Sequence, residues 1–203
     1  SRSYEPTMSR NQLVLDLSNP EVCTYLVEAV SRILASGEIT YVKWDMNRHL
    51  TDLGSVYLGK KSQGELSHRY VLGLYSILEE LTERFPKVLF ESCSSGGGRF
   101  DAGMLYYMPQ TWASDNTDAV CRLKIQHGTS ILFPAITMGA HVSAVPNHQV
   151  GRVTALETRY AVAAAGNLGY ELDFQKLSQE EMEVIKKQIA EYKQLRRTIQ
   201  FGK

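Results

Sequence analysis

The sequence predicts an α/β fold, with parallel strands flanked by helices. Short apolar runs alternate with longer segments of helical periodicity, and no hairpin turn joins consecutive runs. Acidic and polar residues also gather just past the apolar runs, where parallel βα folds keep their chemistry.

The elements follow in order. "QLVLDL" (Gln12 to Leu17) reads as a first strand. Ser18 or Asn19 then caps a helix with Pro20 in its first turn, running through "EVCTYLVEAVSRILA" to Gly37. "ITYVKWD" reads as the second strand. "QGELSHRYVLGLYSILEELTERF" is a long amphipathic helix with Leu66, Tyr70, Leu74 and Ile77 on one side, stopped by Pro86. "VLFES" is the third strand, and "GGGRF" follows as a loop. "TWASD" (Thr111 to Asp115) is the fourth strand, with a helix from Asp118 to Gly128. "ILFPAIT" is strand-like despite Pro134. "TALETRYAVAAAG" is a helix closed by Gly166, and "LGYELDF" (Leu168 to Phe174) is the last strand. Ser178 and Glu181 form a capping-box pattern opening the C-terminal helix. That makes about six strands, fewer than the eight of a closed βα barrel. An open doubly wound sheet is the alternative on pattern alone, and no G-x-G-x-x-G turn points to a dinucleotide fold.

Composition narrows the function. The 203 residues are 43% hydrophobic, enough for a sizeable core. Lys+Arg and Asp+Glu are both 22, so formal net charge is zero and no basic block invites nucleic acid. No apolar run reaches the about 18 residues of a membrane span, and there is no signal-type start. The polar opening "SRSYEPTMSRNQ" lacks an initiator Met and reads as a chain beginning mid-protein. Cys23, Cys93 and Cys121 are odd in number and widely spaced, which argues against a disulfide framework or zinc site. They fit a reducing, cytoplasmic compartment.

The predicted strand ends carry Asp16; Lys43, Asp45 and Asn47; Glu91, Cys93, Ser94 and Ser95; Trp112, Asp115, Asn116 and Asp118; His141; and Glu171 with Asp173. Carboxylates, an amine, amides and indoles together suit a sugar, which offers hydroxyls and an apolar C–H face. Asp45 and Asp115 come from different strands, and a carboxylate pair across a sugar suggests glycoside hydrolysis. Lys43, two residues before Asp45 on the same strand face, would hold it ionised. Asn47 continues that alternation toward a sugar hydroxyl. Each residue has a plainer reading. An Asp at a strand end serves equally as a helix cap, and the Asp115 to Asp118 run reads equally as a capped turn. "SSGGGRF" lacks the P-loop Lys-Ser/Thr and reads better as a flexible turn. Cys93 fits a small buried residue. His141 and His148 lack helical metal-ligand spacing, and Glu157 and Arg159 fit a helix surface or an ion pair.

The long motifs "YVKWDMNRHLT", "ESCSSGGGRFDAGMLYYMPQTWASDNTDA" and "MGAHVSAVPNHQVGR" closely resemble the α-galactosidases (melibiases) of glycoside hydrolase family 36. The resemblance runs from "RNQLVLDLSNPEV" to "QFGK". It implies a retaining enzyme that releases terminal α-galactose from melibiose, raffinose and related oligosaccharides. By this resemblance the nucleophile is Asp45 and the general acid/base is Asp115. Lys43, Asn47, Cys93, Gly96 and Arg10 would bind galactose, with Trp112 as a pocket wall. No metal or redox cofactor is implied. The family's full chain resembles a β-sandwich, a (β/α)₈ catalytic barrel and a C-terminal β-domain, and this chain resembles the later part of the barrel. The expectation is therefore a partial (β/α)₈ TIM barrel without the early barrel strands and flanking β-domains. An incomplete barrel exposes strand edges and apolar surface, so a homo-oligomer is expected. Two alternatives stand beside hydrolysis of α-galactosides. One is a non-catalytic, self-associating partial-barrel scaffold. The other is α-N-acetylgalactosaminidase activity, against which the Cys93–Gly96 loop speaks by favouring galactose.

Overall fold

Asn19 begins the first helix as its sequence suggests: its side chain accepts the Glu21 N–H at 3.0 Å, and Pro20 occupies the first turn, where a missing N–H costs nothing. The computed structural model describes residues 7–51 and 53–202. The chain packs as two compact units. Residues up to Ser94 with Asp101–Pro109 form the first, and Ser95–Phe100 with the residues from Gln110 onward form the second.

In the first unit, helix α1 (Pro20–Ala35) precedes strand β1 (Tyr41–Asp45), and helix α2 (Leu66–Arg84) precedes strand β2 (Leu89–Cys93). Along α2, Leu66, Tyr70, Leu74, Ile77, Leu78 and Leu81 are buried, a stripe at helical spacing. From Tyr70 onward they pack in one core with Cys23, Val27 and Leu34 of α1 and Phe90 of β2. Each such side chain contributes about 1.5–3 kcal/mol on full burial. A short helix α3 (Ala102–Tyr107), capped by Asp101 on the Met104 N–H, adds Met104 and the following Met108 to this core. Strands β1 and β2 are parallel, with Tyr41 opposite Leu89, Lys43 opposite Glu91 and Asp45 opposite Cys93. Val42 and Trp44 pack on the helical core. Strand alternation therefore turns Tyr41, Lys43 and Asp45 to the opposite side.

The second unit contains strand β3 (Gln110–Thr111), helix α4 (Ala119–Ser130), strand β4 (Gly139–Ser143), helix α5 (Leu156–Ala163), strand β5 (Asn167–Glu171) and helix α6 (Gln179–Phe201). Strands β4 and β5 are parallel, Gly139 opposite Asn167 through Ser143 opposite Glu171. Ala140 and Val142 pack with Leu156, Tyr160, Ala163, Ile185 and Tyr192. The predicted capping box opens α6, Ser178 and Glu181 each bonding the other's backbone N–H. Both units are thus parallel strands flanked by helices, the partial α/β-barrel class expected. No described helix is long and apolar enough to cross a membrane.

The structure differs from expectation at three strands. Gln12 to Leu17 forms no ladder: Leu13 and Leu15 are exposed, while the Leu17 carbonyl lies against α2 and accepts the Cys23 thiol. Of "TWASD" only Thr111 lies in a strand, at the end of β3, and its polar end makes loop hydrogen bonds instead. "ILFPAIT" is no strand. Ile131 and Leu132 are 71% and 79% exposed, and Pro134 starts a 3₁₀ turn, Ala135–Thr137; the strand comes after it at Gly139.

Gly73 lies inside α2, where Gly is ordinarily about 1 kcal/mol worse than Ala. A Cβ there would sit 1.9 Å from the Leu17 carbonyl oxygen. Gly73→Ala should therefore lower the denaturation midpoint despite its better helix propensity, and an unchanged or raised midpoint would contradict this packing.

Candidate active site

The parallel register of β1 and β2 creates a polar face in the first unit. Glu91, 1% exposed, lies opposite Lys43. A buried carboxylate without donors is costly. Here the Tyr41 hydroxyl donates to Glu91 Oε2, and Lys43 Nζ lies 3.7 Å from Oε1. Lys43 thus has a carboxylate across the ladder as well as Asp45 two residues along its own strand. Asn47 uses its amide on the neighbouring acid, Nδ2 donating to Asp45 Oδ2 at 2.7 Å. The chain after Asp45 is also fixed. The Met46 N–H donates to the Cys93 carbonyl at 3.0 Å, and Ser94 Oγ donates to the Met46 carbonyl at 3.1 Å. Buried Arg48 donates to the Thr7 carbonyl and to Thr51 Oγ1, both at 2.7 Å. Cys93 is buried opposite Asp45, as a small core residue would be. Arg10 occupies an exposed tight turn. It and Asn11 have φ of 50° and 57°, and Ser9 and Gln12 bond each other's backbones. Asp16, a strand-end candidate by sequence, instead accepts from Ser18 and Ser55 and ties two loops together.

In the second unit, the Trp112 indole N–H donates to Asp115 Oδ1 at 3.1 Å. The His141 ring stacks on Trp112 at 4.5 Å between centroids, and the Arg122 guanidinium lies 4.5 Å from the Trp112 ring centre. Arg122 is 2% exposed. It donates to the Ser114 carbonyl at 3.1 Å, the Gly139 carbonyl at 2.7 Å and Gln126 Oε1 at 3.2 Å. Burial pulls its pKa down to about 10. Gly96 has φ of +90°, and a Cβ on it would come within 2.9 Å of Ser114 Cα and 3.2 Å of the Asp115 nitrogen. A Cβ on Gly97 would meet the Ala113 carbonyl at 2.9 Å. The glycine loop is therefore a close-packed backing for residues 113–115, more constrained than the flexible turn that its composition suggests. Beyond Asp115, Asn116 Oδ1 accepts the Asp118 N–H at 3.0 Å, and Gln149 Oε1 accepts the Thr117 N–H at 3.0 Å. Asp118 caps α4 by accepting the Cys121 N–H at 2.9 Å, and it pairs with Arg152. Burial pushes the Asp118 carboxyl up. The Cys121 N–H, Arg152 and the Val120 N–H outweigh that and hold it below the usual aspartate range.

The melibiase family model matches residues 1–202. The chain belongs to the melibiase family. It is 64% identical to α-galactosidase AgaA of Geobacillus stearothermophilus, covering 95% of this chain and 26% of that protein. With α-galactosidase Mel36A of Lactobacillus acidophilus it shares 54% identity, covering 98% of this chain and 27% of that protein. The crystal structure of GH36 α-galactosidase AgaA superposes with a TM-score of 0.97 at 61% identity, covering 99% of this chain and 28% of that one. A variant of AgaA solved in complex with raffinose gives the same TM-score, identity and shares. The chain thus spans about a quarter of the length of the relatives it matches.

Within this chain, the first unit gathers Lys43, Asp45 and Asn47 along β1 and beyond it, with Cys93 across the ladder. The second gathers Gly96, Trp112 and Asp115. Sequence reasoning gave no role to Glu91 or Tyr41 and did not single out Arg122. Glu91 stands two residues before Cys93, as Lys43 stands two before Asp45, and aligning the two strand ends would have suggested the pair. Arg122 carries no comparable signal, since a lone Arg in a helix reads as surface.

The depressed pKa of Asp118 has a signed consequence. Its contribution to stability is fully present above the ordinary aspartate value of 3.8 and is lost as pH falls through the lower folded value. The stability gap between the native chain and Asp118→Asn should be widest near neutral pH and shrink on that acid side. Denaturation midpoints measured across this range check it, and a gap that widens with acid would contradict it.

Proposed function

We propose that the chain is the later portion of a (β/α)₈ catalytic domain in a longer polypeptide, and that this polypeptide is a retaining α-galactosidase. The reading is carried by two aspartates, Asp45 at the end of β1 and Asp115 in the loop after β3, that accept from Asn47 and Trp112 respectively. The named activities of the relatives and the raffinose complex of AgaA support terminal α-galactosides as substrates.

The chemistry proceeds in two displacements. Asp45 attacks the anomeric carbon as the glycosidic C–O bond breaks, and Asp115 gives its proton to the departing oxygen. A galactosyl ester on Asp45 remains. Asp115, now a carboxylate, takes a proton from water as that water attacks the same carbon, and the ester bond to Asp45 breaks. Two inversions leave the α configuration. Lys43, Asn47, Cys93, Gly96 and Arg10 bind the galactose ring, and Trp112 lines the site beside the acid. The odd number and wide spacing of Cys23, Cys93 and Cys121 support a cytoplasmic setting. The exposed Leu123 within α4 and Ile131 and Leu132 after it support self-association, which light scattering tests: a monomer overturns it.

Three measurements test the catalytic reading in the complete polypeptide. Proton NMR of the first-formed galactose should show the α anomer, and the β anomer appearing first would end the retaining assignment. Asp45→Gly should abolish turnover of every α-galactoside. Asp115→Gly should lose about 100-fold or more on alkyl galactosides. It should keep activity on substrates with very good leaving groups, where azide should trap α-galactosyl azide.

A further inference from the structure

We infer that Trp112 and Arg122 form a positioning pair that holds the plane of the Asp115 carboxyl for proton transfer. The inference deepens the proposed reaction and rests on the acid/base role of Asp115. Indole Nε1–H is a donor only. Asp115 Oδ1 can accept it in both charge states of the carboxyl, so the bond persists as the proton leaves and returns. A carboxyl held in one plane has a fixed direction of delivery, and proton transfer needs that direction to meet the departing oxygen.

The indole can do this only if its ring plane is fixed. Trp112 is 4% exposed, and it has two ring neighbours in its own unit. His141 stacks on it, and Arg122 lies over the ring as a buried cation. Arg122 is itself immobilised by the carbonyls of Ser114 and Gly139, and Gln126 is braced in turn by donating to the Val162 carbonyl at 2.7 Å. The Ser114 carbonyl belongs to the residue before Asp115. One guanidinium therefore holds both the donor's ring and the acid's backbone. Trp112 and Arg122 are positioning residues here, with Asp115 the group that moves the proton.

The test compares Trp112→Phe, Arg122→Lys and Asp115→Ala in the complete polypeptide, each checked for folding by circular dichroism. Substrates are an alkyl α-galactoside, which needs a proton to leave, and 2,4-dinitrophenyl α-galactoside, which does not. Trp112→Phe keeps the ring and loses the N–H. It should lose about tenfold or more in kcat on the alkyl substrate and less than about threefold on the dinitrophenyl one. Arg122→Lys should shift the same ratio in the same direction. Equal losses on both substrates, or a change in KM alone, would mean that Trp112 is only a wall and would overturn the inference. If Asp115→Ala itself fails to discriminate between the leaving groups, the acid/base reading falls first. A second readout needs no turnover. With 5-fluorotryptophan incorporated, and the Trp112 resonance assigned by its loss in Trp112→Phe, that ¹⁹F signal should move in Asp115→Ala. An unmoved signal would remove the hydrogen bond on which the inference stands.

Discussion

A shift of one residue between β1 and β2 would set Lys43 opposite a serine or a phenylalanine and turn every side chain of one strand to the wrong side of its partner. The register is therefore the constraint on which the first unit's chemistry depends. It is held from both faces. On the helical side, Val42, Trp44 and Phe90 are packed into the core of α1 and α2. On the other side, Glu91 is buried between the Tyr41 hydroxyl and the Lys43 amine. A buried carboxylate tolerates only positions where donors reach it, so a slip would strand that charge as well as expose the apolar face. Asp45 then stands at the end of β1 because the strand cannot run in any other alignment, and Met46 bonding the Cys93 carbonyl carries the alignment one residue further.

The second unit solves a harder problem. Asp115 lies in irregular chain, where no ladder fixes the backbone. Charged and polar side chains replace the ladder. Arg122 takes the backbone carbonyls of Ser114 and Gly139, and Asn116, Gln149 and Asp118 take N–H groups along the loop and in the first turn of α4. Arg159 plays a similar part elsewhere in the unit, donating to the Ser143 carbonyl at 2.6 Å and the Thr154 carbonyl at 3.0 Å. Burying a guanidinium is expensive, and its cost is offset only when several acceptors are met at once. Arg122 meets three, so its removal would leave carbonyls as well as a void.

Much of this was legible in the sequence. Asn19–Pro20, the α2 stripe and the Ser178–Glu181 box are local signals, and local physics decides them. Both parallel pairs followed from alternation of elements. Two of the misplaced strands, Gln12 to Leu17 and "ILFPAIT", share one cause: an apolar run marks burial only when a neighbour exists to bury it. Leu13, Leu15, Ile131 and Leu132 are apolar and exposed. For the site, Lys43, Asp45 and Asn47 were readable because period-two spacing on a strand is a geometric statement. The partner of Trp112 was unreadable as a hydrogen bond, since an i to i+3 contact in irregular chain has no periodic signature. Arg122 and Arg159 were unreadable as clamps because their acceptors are backbone carbonyls, which every sequence contains.

The glycine loop shows why composition misleads about rigidity. Gly96 and Gly97 look like freedom, yet neither can be given a Cβ without colliding with the backbone of residues 113–114. The left-handed φ of Ser95 and Gly96 turns the chain sharply after β2, and Phe100 anchors the far end by stacking on Phe133 at 4.1 Å between centroids. A side chain at Gly96 would displace the segment carrying Asp115, whose backbone nitrogen lies 3.2 Å from where that Cβ would stand. Absence of side chains at Gly96 and Gly97 is a positional requirement of the segment that carries Asp115, met by letting two backbones touch.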